Sequence, residues 1–191
     1  MFIKSILNKT NGEKMEFKVI RKQNNSRDCV VCGLANSLSL KTEFYDLENY
    51  MVVGCFNAKD CHQSYPNRLH GGMITALLDE VIGRAVQWGT DETWGVTGDI
   101  SVRFKKPVPL NEDLICVGKI VKNASRLFVG EGFIEDKQGN LLATASATYI
   151  KLPVNKITEQ NMDHDIWFLH KSDNDLKSIE IKNYNYFEKS T

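Results

Sequence analysis

Long hydrophobic runs are missing from this chain of 191 residues. No apolar stretch approaches the roughly 18 residues of a membrane-crossing helix. The opening Met1-Phe-Ile-Lys-Ser-Ile-Leu-Asn-Lys-Thr10 is too short and too interrupted for a secretory signal. A cytoplasmic protein with no membrane partner is the expectation. Net charge is missing as well: 24 basic and 24 acidic residues cancel, so no surface dominated by one sign points to nucleic acid. The expected partners are small molecules and further copies of the chain. No internal repeat is visible. The five cysteines (29, 32, 55, 61 and 116) are odd in number and scattered, which does not suit a disulfide scaffold, so reduced thiols are expected. Cys29-Val-Val-Cys32 with Cys61-His62 fits no zinc-finger spacing, and neither a metal nor a cofactor is expected. An ordinary composition remains, 42% apolar and 25% charged, enough for one globular domain with a real core.

What is there is organised around Asn67-Arg-Leu-His70-Gly71-Gly72-Met-Ile-Thr75-Ala-Leu-Leu-Asp79-Glu80. From Gly72 onward, apolar side chains fall at Met73, Ile74, Leu77, Leu78, Val81, Ile82, Ala85 and Val86. Each pair recurs after four residues, which predicts a single core helix over residues 71 to 88. At about 100° per residue, Thr75, Ala76, Asp79 and Gly83 lie together beside the apolar stripe, whereas Glu80, Arg84 and Gln87 lie on the far side. Glu80 precedes Arg84 by four residues, the favourable order for a helical ion pair, and reads as a solvated or paired surface acid. Asp79 has no such partner within the helix, and its small neighbours leave room for a ligand. On position alone an aspartate there accepts a structural hydrogen bond more often than it does chemistry. Gly71 and Gly72 alter the balance, because the first N–H groups of a helix lack intrahelical partners and point outward with the positive end of the dipole. Such donors can hold a developing oxyanion. The plain structural reading of the two glycines is a tight turn into the helix, and His70 at that entrance either fixes the turn by hydrogen bonding or serves as a base.

The remaining chain reads mostly as strands. Residues 1 to 27 give a loose start and then a weak strand or amphipathic turn around Met15-Glu-Phe-Lys-Val-Ile20. Residues 40 to 56 contain two strand-like runs joined at Asp46-Leu-Glu-Asn49, a hairpin leading toward the helix. An irregular loop from Cys61 to Leu69 delivers His70. After the helix, Gly95 to Lys105 alternates strictly, with Val96, Gly98, Ile100, Val102 and Phe104 facing one way and Thr97, Asp99, Ser101, Arg103 and Lys105 the other. Pro107-Val-Pro109 ends that strand. Further strands are expected at Leu114 to Val121, Leu127 to Ile134 and Leu141 to Lys151, and Ala143, Ala145 and Ala147 on one face of the last leave space for a helix. One long buried helix with a run of antiparallel strands is an α+β class, the sheet curling around the helix. Beyond Pro153 the chain turns polar apart from Ile166-Trp-Phe-Leu169 and is expected to add a short helix and an arm of unknown role. The organisation expected is an extension over 1–27, a domain over 28–152 and a second extension over 153–191.

His70-Gly71-Gly72, then Thr75, then Asp79 nine residues after the histidine, resembles the signature of hotdog-fold acyl-CoA thioesterases of the phenylacetate-pathway, PaaI-like type. Cys29-Val-Val-Cys32-Gly33-Leu-Ala-Asn36-Ser-Leu-Ser-Leu40 is similar to the lead-in of many members. Val96-Thr97 and Val102-Arg103-Phe104-Lys-Lys-Pro107-Val-Pro109 resemble the strand after the helix and its exit. The resemblance covers about residues 28 to 152. It implies a hotdog fold, an antiparallel sheet wrapped around one long central helix, and hydrolysis of an acyl-CoA thioester. It also implies that the cysteine pair is a structural feature of the approach to the sheet. In relatives the site commonly lies between two subunits, so a homodimer or homotetramer is implied, with a hydroxyl eighteen residues after the helix aspartate, here Thr97. Some relatives carry an asparagine six residues before the histidine. That position is Ser64 here, and Asn67 sits three before.

A thioester has an electrophilic carbonyl and a good leaving group, so positioning and one base or nucleophile suffice. Asp79 is assigned to activate water or attack the carbonyl, Gly72 and Gly71 to donate to the oxyanion, and His70 and Thr97 to assist. Ser64, Asn67 and Thr75 are candidates for holding substrate, and Arg103, Lys105, Lys106 and Arg126 for meeting coenzyme A phosphates. Two rivals come from other classes. One is a non-catalytic hotdog module that binds acyl-CoA or another acyl ligand, which Asp79 argues against. The other is a hotdog dehydratase or hydratase, disfavoured because no histidine pairs with a carboxylate in the arrangement those enzymes use.

Overall fold

In the computed structural model, which describes residues 14–159 and 165–189, the four-residue apolar recurrence forms helix α1 (Gly71–Gly83), which buries Ile74, Leu77, Leu78, Val81 and Ile82. It then tightens into one 3₁₀ turn over Arg84–Gln87. The helix expected over 71 to 88 is therefore a 13-residue α-helix with a short continuation. The far side of that helix is not a surface. Arg84 and Gln87 are buried at 4% and 3% exposure, which corrects the outward placement given to them. Arg84 donates to Gln23 Oε1 and the Asn24 carbonyl and stacks between the rings of Phe44 and Trp167. The helical wheel sorted the residues correctly. It could not show that segments flanking the hotdog region cover the polar side.

The strands are β1 (Met15–Lys22), β2 (Asn25–Ser26), β3 (Glu43–Leu47), β4 (Met51–Phe56), β5 (Trp94–Phe104), β6 (Leu114–Asn123), β7 (Leu127–Glu135), β8 (Leu141–Leu152), β9 (Trp167–Phe168) and β10 (Ser178–Ile181). Eight of them form one sheet in the order β10-β1-β3-β4-β6-β7-β8-β5, and β2 pairs with β9 apart from it. Every pairing is antiparallel. The β3–β4 hairpin turns through Glu48–Tyr50, where Asn49 and Tyr50 take positive φ. Helix α1 packs chiefly on β5 to β8. It lies close because the sheet is bare beneath it: a Cβ on Gly118 would stand 2.5 Å from the Val81 carbonyl oxygen, and one on Gly130 would stand 2.4 Å from Ile82 Cγ2.

Neighbouring residues divide between two cores, as a period of two requires. Val52, Cys116 and Ile134 join the helix side, whereas Val53, Val117 and Phe133 join a second cluster with Phe17, Tyr45, Leu47, Met51, Ile181 and Phe187. Strands β1 and β10 bring Phe17 and Ile181 to that second core. Where β10 ends, the buried Glu135 carboxylate at the end of β7 accepts from the Lys182 and Asn183 backbone amides and from Asn183 Nδ2, at 2.9, 2.9 and 2.7 Å. The two ends of the chain therefore help to cover the outer face of the sheet. The short helix and arm expected after Pro153 are corrected accordingly: the described tail contributes two short strands and 3₁₀ turns, with no α-helix among the described residues. Residues 1–13, part of the expected loose start, lie outside the described residues. No helix is long and apolar enough to cross a membrane among the described residues.

Candidate functional site

Two turns into α1, Asp79 is half-buried and faces β5 and β8. Thr97 Oγ1 donates to Asp79 Oδ1 at 2.8 Å. The Tyr149 hydroxyl lies 2.9 Å from the same oxygen and 2.8 Å from the Asp79 backbone carbonyl, and shares its proton between them. Burial, with the Asp79 charge second, pushes the Tyr149 hydroxyl well above its ordinary range, so it remains a donor at any working pH. Both donors grip one carboxylate oxygen. Among the described residues no hydrogen bond reaches Oδ2, which is left for a water or a substrate.

A departure from alternation puts Thr97 there. The β5–β8 register shifts between Thr97 and Asp99, so Thr97 reaches Asp79 while Ile100 and Val102 also pack on the helix-side core. Strict alternation would have put Thr97 and Ile100 on opposite faces, and the alternation expected from Gly95 to Lys105 is corrected at this bulge. Tyr149 was missed. It continues the alternating face of Ala143, Ala145 and Ala147, and that pattern was the signal available. Its ring stacks on Phe128 with centroids 4.8 Å apart, and Gly83 and Gly95 leave it room.

A cavity of about 260 Å³ opens on this carboxylate, walled by Thr97, Tyr149, Trp94, Cys29 and Trp167. Larger cavities lie elsewhere, about 640 Å³ on the outer face of the sheet and about 840 Å³ beside Tyr50 and Trp88. Neither contains Asp79 or the helix mouth, so chemistry rather than size selects the smaller one.

At the helix mouth His70 is the N-cap, and its Nδ1 accepts the Gly72 N–H at 2.9 Å. The Met73 and Ile74 amides donate to the His70 carbonyl. His70 thus fixes the turn, and Gly72, expected to donate to an oxyanion, has its N–H occupied by the cap. The Gly71 amide takes part in none of these bonds. Thr75 Oγ1 donates to the Gly71 carbonyl, as a hydroxyl within a helix commonly does. Buried His62 supports the entrance, with its carbonyl accepting the His70 amide at 2.9 Å. The other candidates are not brought to Asp79. Ser64 and Asn67 are exposed in the loop before the helix, with Asn67 at φ 59°. Arg103, Lys105 and Lys106 are exposed at the far end of β5 and just beyond it, and Arg126 is exposed between β6 and β7. None of these six lines the Asp79 cavity.

Residues 67–143, which include the capped helix, Asp79 and Thr97, match the family model of the thioesterase superfamily. The fold of this segment is the hotdog fold of solved thioesterase structures. A crystal structure of a thioesterase superfamily protein superimposes with TM-score 0.60 and 29% identity, over 65% of this chain and 60% of that one. The thioesterase-superfamily match therefore spans less than two thirds of that relative. The E. coli PaaI protein from the phenylacetic acid degradation operon aligns with TM-score 0.55 and 14% identity, over 62% and 84% of the two chains. A hypothetical thioesterase from Streptococcus pneumoniae TIGR4, solved with coenzyme A, aligns with TM-score 0.50 and 23% identity, over 54% and 82%. At these identities the last two speak for the fold alone. No curated protein matches the chain.

Proposed function

We propose that the protein hydrolyses an acyl-CoA thioester to a carboxylic acid and free coenzyme A. The observation that carries this reading is the Asp79 carboxylate, with one oxygen held by Thr97 and Tyr149 and the other unbound, at a cavity wall within a thioesterase-superfamily segment. Fixing one oxygen sets the orientation of the second, as a positioned base or nucleophile requires. Acting as a base, that oxygen takes a proton from water as the water attacks the carbonyl, then returns it to the departing thiolate. Acting as a nucleophile, it forms an anhydride as the coenzyme A thiolate leaves, and water then opens the anhydride, its released proton going to the thiolate. Both routes end in the same products, and label entering Asp79 during single turnover in ¹⁸O-water would mark the nucleophilic one, with water opening the anhydride at the Asp79 carbonyl.

The oxyanion donor belongs to a second copy in this reading. Gly71 and Asp79 are eight residues apart on one helix, or about 12 Å at about 1.5 Å per residue. One carbonyl cannot touch both groups of the same helix. Among the described residues strand β5 is an edge of the sheet, next to β8, 11 residues long and with Phe104 57% exposed, and so long an edge favours pairing with another copy. A homodimer or homotetramer joined there would carry the Gly71 amide of one chain toward the Asp79 of another. Arg103 and Lys105 on that edge, with Arg126, are proposed to meet the coenzyme A phosphates.

Free thiol release from a panel of acyl-CoAs, read with a thiol-reactive dye, tests the activity. Saturable release from at least one member is expected. Binding of acyl-CoA without release from any would replace the reading with a non-catalytic acyl-binding module.

A further inference from the structure

The turn carrying Cys29 and Cys32 borders the Asp79 cavity yet has no task in thioester hydrolysis. The Cys29 amide donates to the Ser26 carbonyl at 3.3 Å and the Gly33 amide to the Cys29 carbonyl at 2.8 Å. The coil is tight enough that a Cβ on Gly33 would stand 2.3 Å from the Cys29 carbonyl oxygen. Residues three apart in such a turn hold their Cα atoms within about 7 Å, and a disulfide spans about 4.4–6.8 Å. The two sulfurs and a Glu80 carboxylate oxygen lie within 4.8 Å of one another. The two thiols are unequally placed. Cys29 is partly exposed on the cavity wall. Cys32 is fully buried, where its Sγ accepts from Arg84 Nη2 at 3.2 Å and from the Ser26 amide at 3.4 Å.

We propose that Cys29 and Cys32 form a redox-active dithiol that reacts with low-molecular-weight disulfides at the wall of the Asp79 cavity. In the first step the Cys29 thiolate attacks one sulfur of the small disulfide. A mixed disulfide forms on Cys29, and the other half leaves as a thiolate that takes up the proton Cys29 released. Cys32 then gives up its proton and attacks the Cys29 sulfur, and the second half leaves as a thiol. Two protein thiols are oxidised to one disulfide, and one small disulfide is reduced to two thiols.

The geometry sets that order. Cys29 is the reachable sulfur, and its hydrogen-bonded pairing with Cys32, whose thiol also donates to Glu80 Oε1 at 3.8 Å, holds its pKa down at about 7. The same pairing, and then burial, push Cys32 up, while the Arg84 guanidinium stands ready to stabilise the Cys32 thiolate as it forms. A metal ion is the rival occupant of two sulfurs and a carboxylate. The guanidinium argues against it, since a cation there would sit beside a fixed positive charge already bound to two of its three ligands, Cys32 Sγ and Glu80 Oε1. This site does not depend on the thioesterase reading.

The test uses the full chain with exposed Cys61 replaced as Cys61→Ser, treated with hydroxyethyl disulfide while released thiol and intact mass are followed. Two thiols per chain should be released, leaving protein lighter by two hydrogens, without an adduct, and with the new bond mapped to Cys29–Cys32. Adding Cys32→Ser should stop the reaction at one thiol and a stable mixed disulfide on Cys29. Adding Cys29→Ser instead should slow it at least ten-fold. A stable adduct on the parent protein would overturn the proposal without requiring any further variant to fold. So would a Cys29→Ser variant that reacts as fast as its parent.

Discussion

Replacing Asp79 by asparagine tests the hydrolytic reading most directly, and the structure says what such a change leaves intact. Both protein donors, Thr97 Oγ1 and the Tyr149 hydroxyl, point at Oδ1, and an asparagine side-chain oxygen accepts from both in the same place. The fold and the cavity should therefore persist. What disappears is the negative charge and the basicity of the free oxygen, a loss of roughly 10²-fold or more in turnover for a positioned general base, or at least about 2.7 kcal/mol of transition-state stabilisation. Glu80→Gln is the control, one residue along the helix. The Glu80 carboxylate is bound to Arg84 Nε at 2.9 Å, and Arg84 is buried, so neutralising Glu80 leaves a buried cation short of its counter-charge. That costs about 1–3 kcal/mol, toward the lower end because Glu80 itself is 28% exposed. It should appear as a melting temperature lowered by several degrees. Initial rates on a good acyl-CoA substrate and thermal melts of all three proteins decide the matter. Asp79→Asn should lose turnover and keep its melting temperature, and Glu80→Gln should do the reverse. Near-normal turnover in Asp79→Asn, or equal losses of turnover in both, would refute the assignment of the carboxylate.

Tyr149→Phe removes a donor to Asp79 while keeping the stack on Phe128, so turnover should fall roughly ten-fold, the worth of about 1.4 kcal/mol, with acyl-CoA affinity retained; unchanged kcat would show that the tyrosine has no part in orienting the carboxylate. Gly118→Ala forces a methyl against the Val81 carbonyl, where backbone on both sides prevents relief, and should destabilise by about 1–3 kcal/mol; a denaturant midpoint equal to that of the parent would show that helix and sheet can separate freely there.

Much of this site was legible in the chain because its signals are local. The four-residue apolar recurrence placed α1 and put Asp79 off its buried stripe, and a histidine before two glycines marked the capped entrance. What escaped depends on pairing. The bulge between Thr97 and Asp99 exists only in register against β8, and no property of the residues Thr97-Gly98-Asp99 announces it. Tyr149 becomes a partner of Asp79 only when two elements 70 residues apart are docked. The flanking strands were less legible still: Glu16 and Ser178 hydrogen-bond across 162 residues of chain, and a four-residue strand such as β10 carries too short a pattern to stand out. The burial of Arg84 follows from those same long-range contacts, because a polar helix face is a surface until something covers it.

Whether the site is shared between two chains can be decided without a structure of the assembly. Gly71 is the first helical residue, and proline is well tolerated there, since its missing N–H would have no intrahelical partner and its fixed φ suits the helix. The preceding His70 already has φ −63° and ψ 137°, the extended conformation that proline requires of its neighbour. A Cβ on Gly71 would meet only the Phe104 ring at 3.6 Å, an ordinary contact. Gly71→Pro therefore removes one amide proton and little else. If that amide holds the oxyanion, turnover should fall by about 10²-fold. Asp79→Asn chains fail for the complementary reason. In a heterodimer of the two variants, one site combines the intact Gly71 of the Asp79→Asn chain with the intact Asp79 of the Gly71→Pro chain, and the other site lacks both. Unfolding and refolding an equal mixture should therefore restore activity to about half of the parent value in each heterodimer formed. A helix that supplied both groups to one carbonyl could not be complemented in this way. A mixture no more active than its two components, with subunit exchange demonstrated by mass, would place both groups within one chain and end the shared-site reading.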